Sequence, residues 1–225
     1  MKNYKVILFD LDGTLTDPKE GITKSVEYAL KRMGIDEPNL DNLECFIGPP
    51  LHVSFAEYYG FSEAEISKAT ALYRERFKEK GMYENVPYDG IQKLLAELQQ
   101  QGYRLAVATS KPTVFAKTIV DYFQIGQYFE HIVGSNLDGT RSAKAEIIQY
   151  IIAEYGEYDL NDFIMIGDRK HDLIGANQVG IDAMGVTYGY GDIEELQACN
   201  PTYIANTVEQ VGEILLRNQQ QLLLR

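Results

Sequence analysis

Asp10 and Asp12 stand two residues apart in Phe9-Asp10-Leu11-Asp12-Gly13-Thr14, directly after a short apolar run at residues 6–9. If that run is a buried strand, both carboxylates project into the crevice at the carboxyl end of a sheet, where open α/β sheets bind ligands. Burying two like charges is costly unless a cation or a proton offsets them. The pair therefore points to bound metal, to proton transfer, or to both. Gly13 lets the backbone turn close to a ligand and Thr14 adds a hydroxyl. Taken alone, Asp-Gly also reads as a surface turn with Asp12 as a cap.

Further reactive groups follow at similar points along the chain. Ala108-Thr109-Ser110-Lys111 closes another apolar run and precedes Pro112, at a predicted helix start whose free N–H groups favour anions. A Thr-Ser pair there also serves as a plain helix cap. Residues 163–166 lead into Gly167-Asp168-Arg169-Lys170-His171-Asp172, which sets two carboxylates one helical turn apart. With Asp10 on another strand, they form an oxygen-ligand set suited to a hard cation. Lys144, in Ser142-Ala143-Lys144-Ala145-Glu146, falls in the first turn of a predicted helix. The helix dipole disfavours a cation at that position, and a nearby anion reverses the preference. Arg141 and Lys111 compete with it for an anion-binding role.

The elements that would position these groups are legible from periodicity. Short apolar runs at 6–9, 105–108, 132–133 and 163–166 read as buried parallel strands, and amphipathic stretches at 90–101, 113–122 and 143–155 lie between them. From about residue 85 the alternation is βαβα, which predicts a doubly wound, mostly parallel α/β sheet. Residues 17–84 carry helical signals instead. Asp17-Pro18-Lys19-Glu20 resembles a capping box with Pro at the first helical position, and Ser62-Glu63-Ala64-Glu65 repeats the device. Gly48-Pro49-Pro50 interrupts the helical pattern, and Pro87-Tyr88-Asp89-Gly90 marks the return to the sheet. The segment reads as a small α-helical module inserted after the first strand, with one continuous globule as the alternative. The Gln- and Leu-rich tail at 218–225 reads as a helix end or an oligomer contact.

Composition narrows the function classes. The chain has 225 residues, 45% of them hydrophobic, with 21 Lys plus Arg against 33 Asp plus Glu and a formal net charge of −12. No basic block marks a nucleic-acid polymer as partner. An acidic protein acting on an anionic substrate needs local positive charge, which a divalent cation and one or two lysines supply. Cys45 and Cys199 lack metal or disulfide spacing, and the N-terminus shows neither a signal-peptide core nor a membrane span, so a cytoplasmic protein is expected. His52, His131 and His171 are not spaced as a metal set. Gly189-Tyr190-Gly191 lacks the third glycine and the early position of a dinucleotide loop.

In order and spacing, these motifs resemble the haloacid dehalogenase superfamily of phosphohydrolases, in its phosphoglycolate-phosphatase-like branch with a helical cap after the first motif. The resemblance covers nearly the whole chain. Asp10-Leu11-Asp12-Gly13-Thr14 is similar to the first motif, Thr109 to the second, Lys144 to the third, and Gly167-Asp168 with Asp172 to the fourth. Phe46-Ile47-Gly48-Pro49-Pro50-Leu51 and Leu137-Asp138-Gly139-Thr140-Arg141 resemble stretches of 5′-nucleotidase-like members. The resemblance implies a Rossmann-like core at residues 1–16 and 85–225 and a helical cap at 17–84. It implies Mg²⁺-dependent hydrolysis of small phosphate monoesters through an aspartyl-phosphate. Asp10 would attack phosphorus and bind Mg²⁺ through its other oxygen, with the Asp12 backbone carbonyl and Asp168 completing the protein ligands and Asp172 orienting them. Asp12 would protonate the leaving alkoxide and later activate water. Thr109, Ser110 and Lys144 would hold the phosphoryl oxygens, with Gly13, Thr14, Lys111 and Gly48 alongside. The expected partner is a small phosphorylated metabolite bound by a monomer or homodimer, with phosphoglycolate, a nucleoside monophosphate and a sugar phosphate all open.

Three rivals share parts of this pattern. Dehalogenation expels halide and has no use for an acid at position 12. A phosphomutase uses the same residues and returns the phosphoryl group to its substrate. A phospho-aspartate receiver module should be about half this length and lack the helical insert.

Overall fold

The apolar run at 6–9 forms β1 (Val6–Phe9) in the computed structural model, which describes residues 2 and 4–222, with side chains described to residue 216. The two-residue β2 (Thr16–Asp17) follows, then helices α1 (Lys19–Arg32), α2 (Leu51–Tyr59) and α3 (Glu63–Arg76), and the short β3 (Val86–Pro87). Next come α4 (Ile91–Gln100), β4 (Arg104–Pro112), α5 (Thr113–Tyr122), β5 (His131–Ser135) and α6 (Lys144–Glu154). The chain closes with β6 (Phe163–Gly167), α7 (Lys170–Val179), β7 (Asp182–Val186), α8 (Ile193–Ala198), β8 (Tyr203–Ala205) and α9 (Val208–Leu222).

Six strands make one parallel sheet in the order β5-β4-β1-β6-β7-β8, the expected doubly wound arrangement. Successive strands run outward from β1 first one way and then the other, so the order reverses between β1 and β6. That reversal opens a crevice at the carboxyl ends of those strands. Pairing puts Phe9 level with Val107 on β4 and with Ile166 on β6, so the residues just past each strand arrive together at one edge.

All four residues of β1 are buried, because helices cover both faces of the sheet. The period of two sorts them. Ile7 and Phe9 join Leu105, Val107, Ile164 and Ile166 in the core under α4, α5 and α9. Val6 and Leu8 join Ala106, Phe163 and Met165 in the core under α6, α7 and α8. Strands β7 and β8 escape the sequence reading: Gly185 breaks the apolar pattern of β7, and β8 is only three residues long.

The helical segment departs from expectation in detail. A 3₁₀ turn at Leu40–Phe46 and helix α2 add to the two helices expected, both packed through Leu43, Phe46 and Phe55 onto Val26, Leu30, Ala69 and Tyr73. Pro18 sits at the cap position of α1 and not at its first helical residue, and Asp17 Oδ1 accepts the Lys19 N–H at 3.0 Å. The Ser62 capping box forms, with Glu65 Oε2 accepting the Ser62 N–H at 2.8 Å. β2 and β3 pair antiparallel, Thr16 opposite Pro87, where the chain leaves and re-enters the sheet layer. No helix among the described residues is long and apolar enough to cross a membrane. Beyond the α9 backbone at Leu222, the Gln- and Leu-rich tail lies outside the described residues.

Candidate active site

Asp10 is the first residue past β1 and only 3% exposed. Its Oδ1 accepts the Leu11 N–H at 2.7 Å and lies 3.0 Å from Lys144 Nζ. Asp168 follows β6 and is fully buried, its Oδ1 accepting from the Thr14 hydroxyl at 3.2 Å and its Oδ2 from the Tyr190 N–H at 2.8 Å. Asp172, in the first turn of α7, uses Oδ2 to accept the Arg169 N–H at 3.1 Å, and its Oδ1 lies 2.7 Å from Lys144 Nζ. Carboxylate oxygens of Asp10, Asp168 and Asp172 lie within 4.8 Å of one another.

Lys144 begins α6 and also donates to the Ala108 carbonyl at 2.8 Å. The helix dipole disfavours an ammonium there, and the two carboxylates reverse the balance. Burial works against its charge, but Asp10 and Asp172 outweigh burial and hold its pKa above the usual lysine range. Fully ionised, three carboxylates against one ammonium would leave two negative charges uncompensated in a buried space. Burial, with Asp172 and Asp10 adding repulsion, raises the Asp168 carboxyl well above the ordinary range. Burial likewise pushes Asp172 up to about 7 against the pull of Lys144. A buried, oxygen-only donor set with a surplus of two negative charges fits a hard divalent cation such as Mg²⁺.

The Asp12 carboxylate turns elsewhere. Its Oδ2 lies 2.8 Å from Lys111 Nζ, while its Oδ1 is buried without a hydrogen-bond partner. Burial raises its pKa, Lys111 opposes, and Asp10 adds to the rise. Lys111 stands 4.5 Å above the ring of Phe77, which comes from the helical segment. Thr109 is buried and its hydroxyl accepts the Lys111 N–H at 3.3 Å. The three candidate cations thus part company: Lys144 goes to Asp10 and Asp172, Lys111 to Asp12, and Arg141 to the Gly134 carbonyl and the Tyr150 ring. Asp12, Ser110 and Lys111 border a cavity of about 660 Å³, whose lining also includes Gly48, Leu51 and His52. His131 instead packs edge-on against Tyr155, and His171 is partly buried, which lowers its pKa.

Two features escape the sequence reading. Gly189-Tyr190-Gly191, set aside there as a nucleotide loop, seals the floor of the site. A Cβ at Gly189 would fall 2.3 Å from the Gly13 carbonyl oxygen and one at Gly191 would fall 2.0 Å from that of Asp168, so only glycine lets Tyr190 bring its N–H to Asp168. Their position just past β7, at the same sheet edge as Asp10, is the signal that could have found them. The second is Arg169, whose Nη1 donates to the Ile47 carbonyl at 2.8 Å and whose Nε donates to Glu195 at 3.0 Å, docking residues 46–51 onto the sheet layer. Glu195 is 26 residues away in the chain and carries no local sign of that role.

A family model described as haloacid dehalogenase-like hydrolase matches residues 7–186. The 5′-nucleotidase of Pseudomonas aeruginosa is 50% identical over 212 residues, 94% of this chain and 96% of that protein. The tyrosine-protein kinase PtkA of Mycobacterium tuberculosis is 37% identical over 213 residues, 94% of this chain and 72% of its own length. A phosphoglycolate phosphatase of Vibrio parahaemolyticus is 25% identical over 222 residues, 95% of this chain and 97% of that protein. Among solved structures, a predicted phosphatase from Clostridium acetobutylicum superposes with a TM-score of 0.93 at 49% identity, covering 96% of this chain and 99% of that one.

Gly13 tests how tightly the site is packed. Its φ is +79° and an added Cβ would fall 2.1 Å from Asp168 Oδ2, whereas Gly34, at φ +86°, has no atom within 4 Å of that position. Both alanine variants incur backbone strain of about 1–3 kcal/mol, but Gly13→Ala must also displace Asp168. Thermal unfolding should show a clearly larger drop for Gly13→Ala than for Gly34→Ala. Equal drops would mean that Asp168 moves aside freely.

Proposed function

The chain belongs to the haloacid dehalogenase-like hydrolase family, and from that premise we propose that this phosphatase cleaves small phosphate monoesters through a phosphorylated Asp10, with Mg²⁺ held by Asp10 and Asp168. The observation that carries the proposal is the buried cluster of Asp10, Asp168 and Asp172, two of which, Asp10 and Asp172, share the single Lys144 ammonium. The Asp12 backbone carbonyl completes the protein ligands in this reading, and Asp172 orients them through Lys144. When bound, the metal neutralises phosphoryl oxygens and steadies the charge that develops on them.

Asp10, held in one rotation by Leu11 and Lys144, supplies the carboxylate oxygen that bonds to phosphorus as the ester P–O bond breaks. Asp12 gives its proton to the departing alkoxide. Burial raises its pKa, the direction a proton donor needs, against the pull of Lys111. Asp12, now ionised, then takes a proton from water, and the hydroxide oxygen bonds to phosphorus as Asp10 is released. The proton returns to where it began, and inorganic phosphate leaves. Lys111 stabilises Asp12 in its ionised phase, while Thr109, Ser110, Lys144 and Lys111 hold the phosphoryl oxygens, with Gly13, Thr14 and Gly48 shaping the space. Residues 17–84 act as the cap over a core of residues 1–16 and 85–225, and residues 46–51 face the leaving group. Nucleoside monophosphates are the substrate class favoured by the 5′-nucleotidase relative. The acidic chain works in the cytoplasm, on a metabolite and not on nucleic acid.

The two carboxylates separate by substitution. Asp10→Asn should end turnover of every ester, because the amide is a poor nucleophile. Asp12→Asn should still be phosphorylated by a nitrophenyl ester, whose leaving group needs no proton, and then hydrolyse about 10²–10⁴-fold more slowly. Stopped-flow mixing should show a burst of nitrophenolate with phosphate retained on the protein. Equal loss on alkyl and aryl esters without a burst would remove Asp12 from the acid–base role.

The metal has its own readout in stability. A carboxyl whose folded pKa is raised contributes stability that is present below its unfolded pKa and lost as pH rises through the folded one. For Asp172 that loss runs from about 4 to about 7, and Asp168 shifts in the same direction. Mg²⁺ competes with those protons, so the rise in Tm on replacing chelator with Mg²⁺ should be larger at pH 8 than at pH 5.5. Turnover should vanish in chelator and return with Mg²⁺. An equal rise in Tm at both pH values would show that the metal binds away from these carboxyls.

A further inference from the structure

Ser135 ends β5, is only 5% exposed, and lines the cavity beside Asp12 together with Ser110 and Lys111. The backbone fixes its place. β4 is irregular between Ala108 and Pro112, which brings Pro112 level with Ser135. Gly134 permits that close approach, since a Cβ there would fall 2.0 Å from the Lys111 carbonyl oxygen. The Gly134 N–H also donates to the Thr113 hydroxyl at 2.9 Å, so the residue before Ser135 is tied to the start of α5. Ser135 is thus held at the cavity wall before any substrate arrives.

Its hydroxyl has no hydrogen-bond partner among the described residues. The hydroxyls of Thr16 and Ser54 also lack partners, but those oxygens are sealed from water. The Ser135 oxygen is not sealed, and the surface it keeps opens onto the cavity. A hydroxyl so placed gives up most of its hydration and gains no bond in return, which is unfavourable until an entering molecule supplies the partner.

Sheet order decides which part of a substrate meets it. β4 lies between β1 and β5, so Thr109, Ser110 and Lys111 stand between Asp10 and Ser135. A phosphoryl group at Asp10 meets the β4 groups first. Ser135 belongs to a strand two spacings out, roughly 10 Å across the sheet, and faces what is attached beyond the phosphate. The cavity, at about 660 Å³, falls within the roughly 300–1,000 Å³ that holds a drug-sized ligand.

We infer that Ser135 is a specificity-determining residue, whose hydroxyl hydrogen-bonds a hydroxyl on the leaving group of the substrate. The inference rests on the phosphatase reading above. A serine hydroxyl both donates and accepts, and the partner that uses both capacities is another hydroxyl, which a sugar or a nucleoside carries close to its phosphate. Ser135 thereby reads the leaving group while the residues around Asp10 process the phosphate.

The test compares wild type and Ser135→Ala on nucleoside 5′-monophosphates, ribose 5-phosphate, phosphoglycolate and phenyl phosphate, the last having no hydrogen-bonding group beyond its phosphate. In Ser135→Ala the ratio of kcat/KM for the two hydroxylated esters to that for phenyl phosphate should fall by about 3–10-fold, mainly through KM, the size of one neutral hydrogen bond. Inhibition of phenyl phosphate hydrolysis by free nucleoside should weaken by a similar factor, a readout of binding alone. The Tm of the unliganded variant should equal or exceed that of wild type, because the hydroxyl removed has no partner in the protein. A ratio within about twofold of wild type would overturn the inference. So would an equal fall on all four esters, which would put Ser135 on the phosphate, or a fall confined to phosphoglycolate, which would make the partner a carboxylate. A clear drop in Tm would also overturn it, by showing that the hydroxyl is already engaged within the protein. Failure of the wild type to hydrolyse any of the four would instead overturn the phosphatase reading on which the inference stands.

Discussion

Lys144 lies 3.0 Å from Asp10 and 2.7 Å from Asp172 with one buried ammonium, and the rest of the site is arranged around keeping those charges together out of water. Burying ions is expensive, and their mutual attraction offsets the expense only when the remaining donors and acceptors are also satisfied. The backbone meets that condition here. Ala108 accepts from Lys144, Leu11 donates to Asp10, Arg169 donates to Asp172 and Tyr190 donates to Asp168. Ala108 belongs to β4 itself, and the other three backbone groups belong to different loops at the same sheet edge. Registering β1, β4 and β6 in parallel is what brings the loops together.

Contacts between the helical segment and the sheet layer fall close to these charges. Lys111, the partner of Asp12, stands over Phe77, and Arg169, the neighbour of Asp168, holds the Ile47 carbonyl. The Tyr190 hydroxyl donates to Asp17 while its N–H binds Asp168. Residues next to the reacting groups therefore also sense where the helices sit. Only one or two side chains separate the charges of the site from the helical segment.

What could be read in the sequence follows the physics of locality. β1 was legible because a strand buried on both faces is an uninterrupted apolar run, and Asp10, Asp12 and Asp168 were legible because a charge just past such a run has few bland explanations. Helix ends with side-chain caps, such as Ser62 with Glu65, were legible for the same reason. Residues whose meaning depends on distant partners were not. Nothing near Asp12 in the chain names Lys111 as its partner, and nothing near Tyr190 says that its N–H meets a carboxylate 22 residues earlier. α2 was hidden by its shortness and by the proline pair before it, and β7 by Gly185.

The paired β2 and β3 give the helical segment an unusual topology. Its outgoing and incoming chain ends lie side by side, Thr16 opposite Pro87 and Asp17 opposite Val86, at the spacing of one antiparallel ladder. A segment whose ends nearly touch can lengthen, shrink or be exchanged without shifting the strand register on which the carboxylates depend, because the surrounding chain meets the same two attachment points. The fold thus separates two constraints: burial of charge fixes the sheet edge, while the helical segment is fixed to it by two attachment points and by the Phe77, Ile47 and Asp17 contacts.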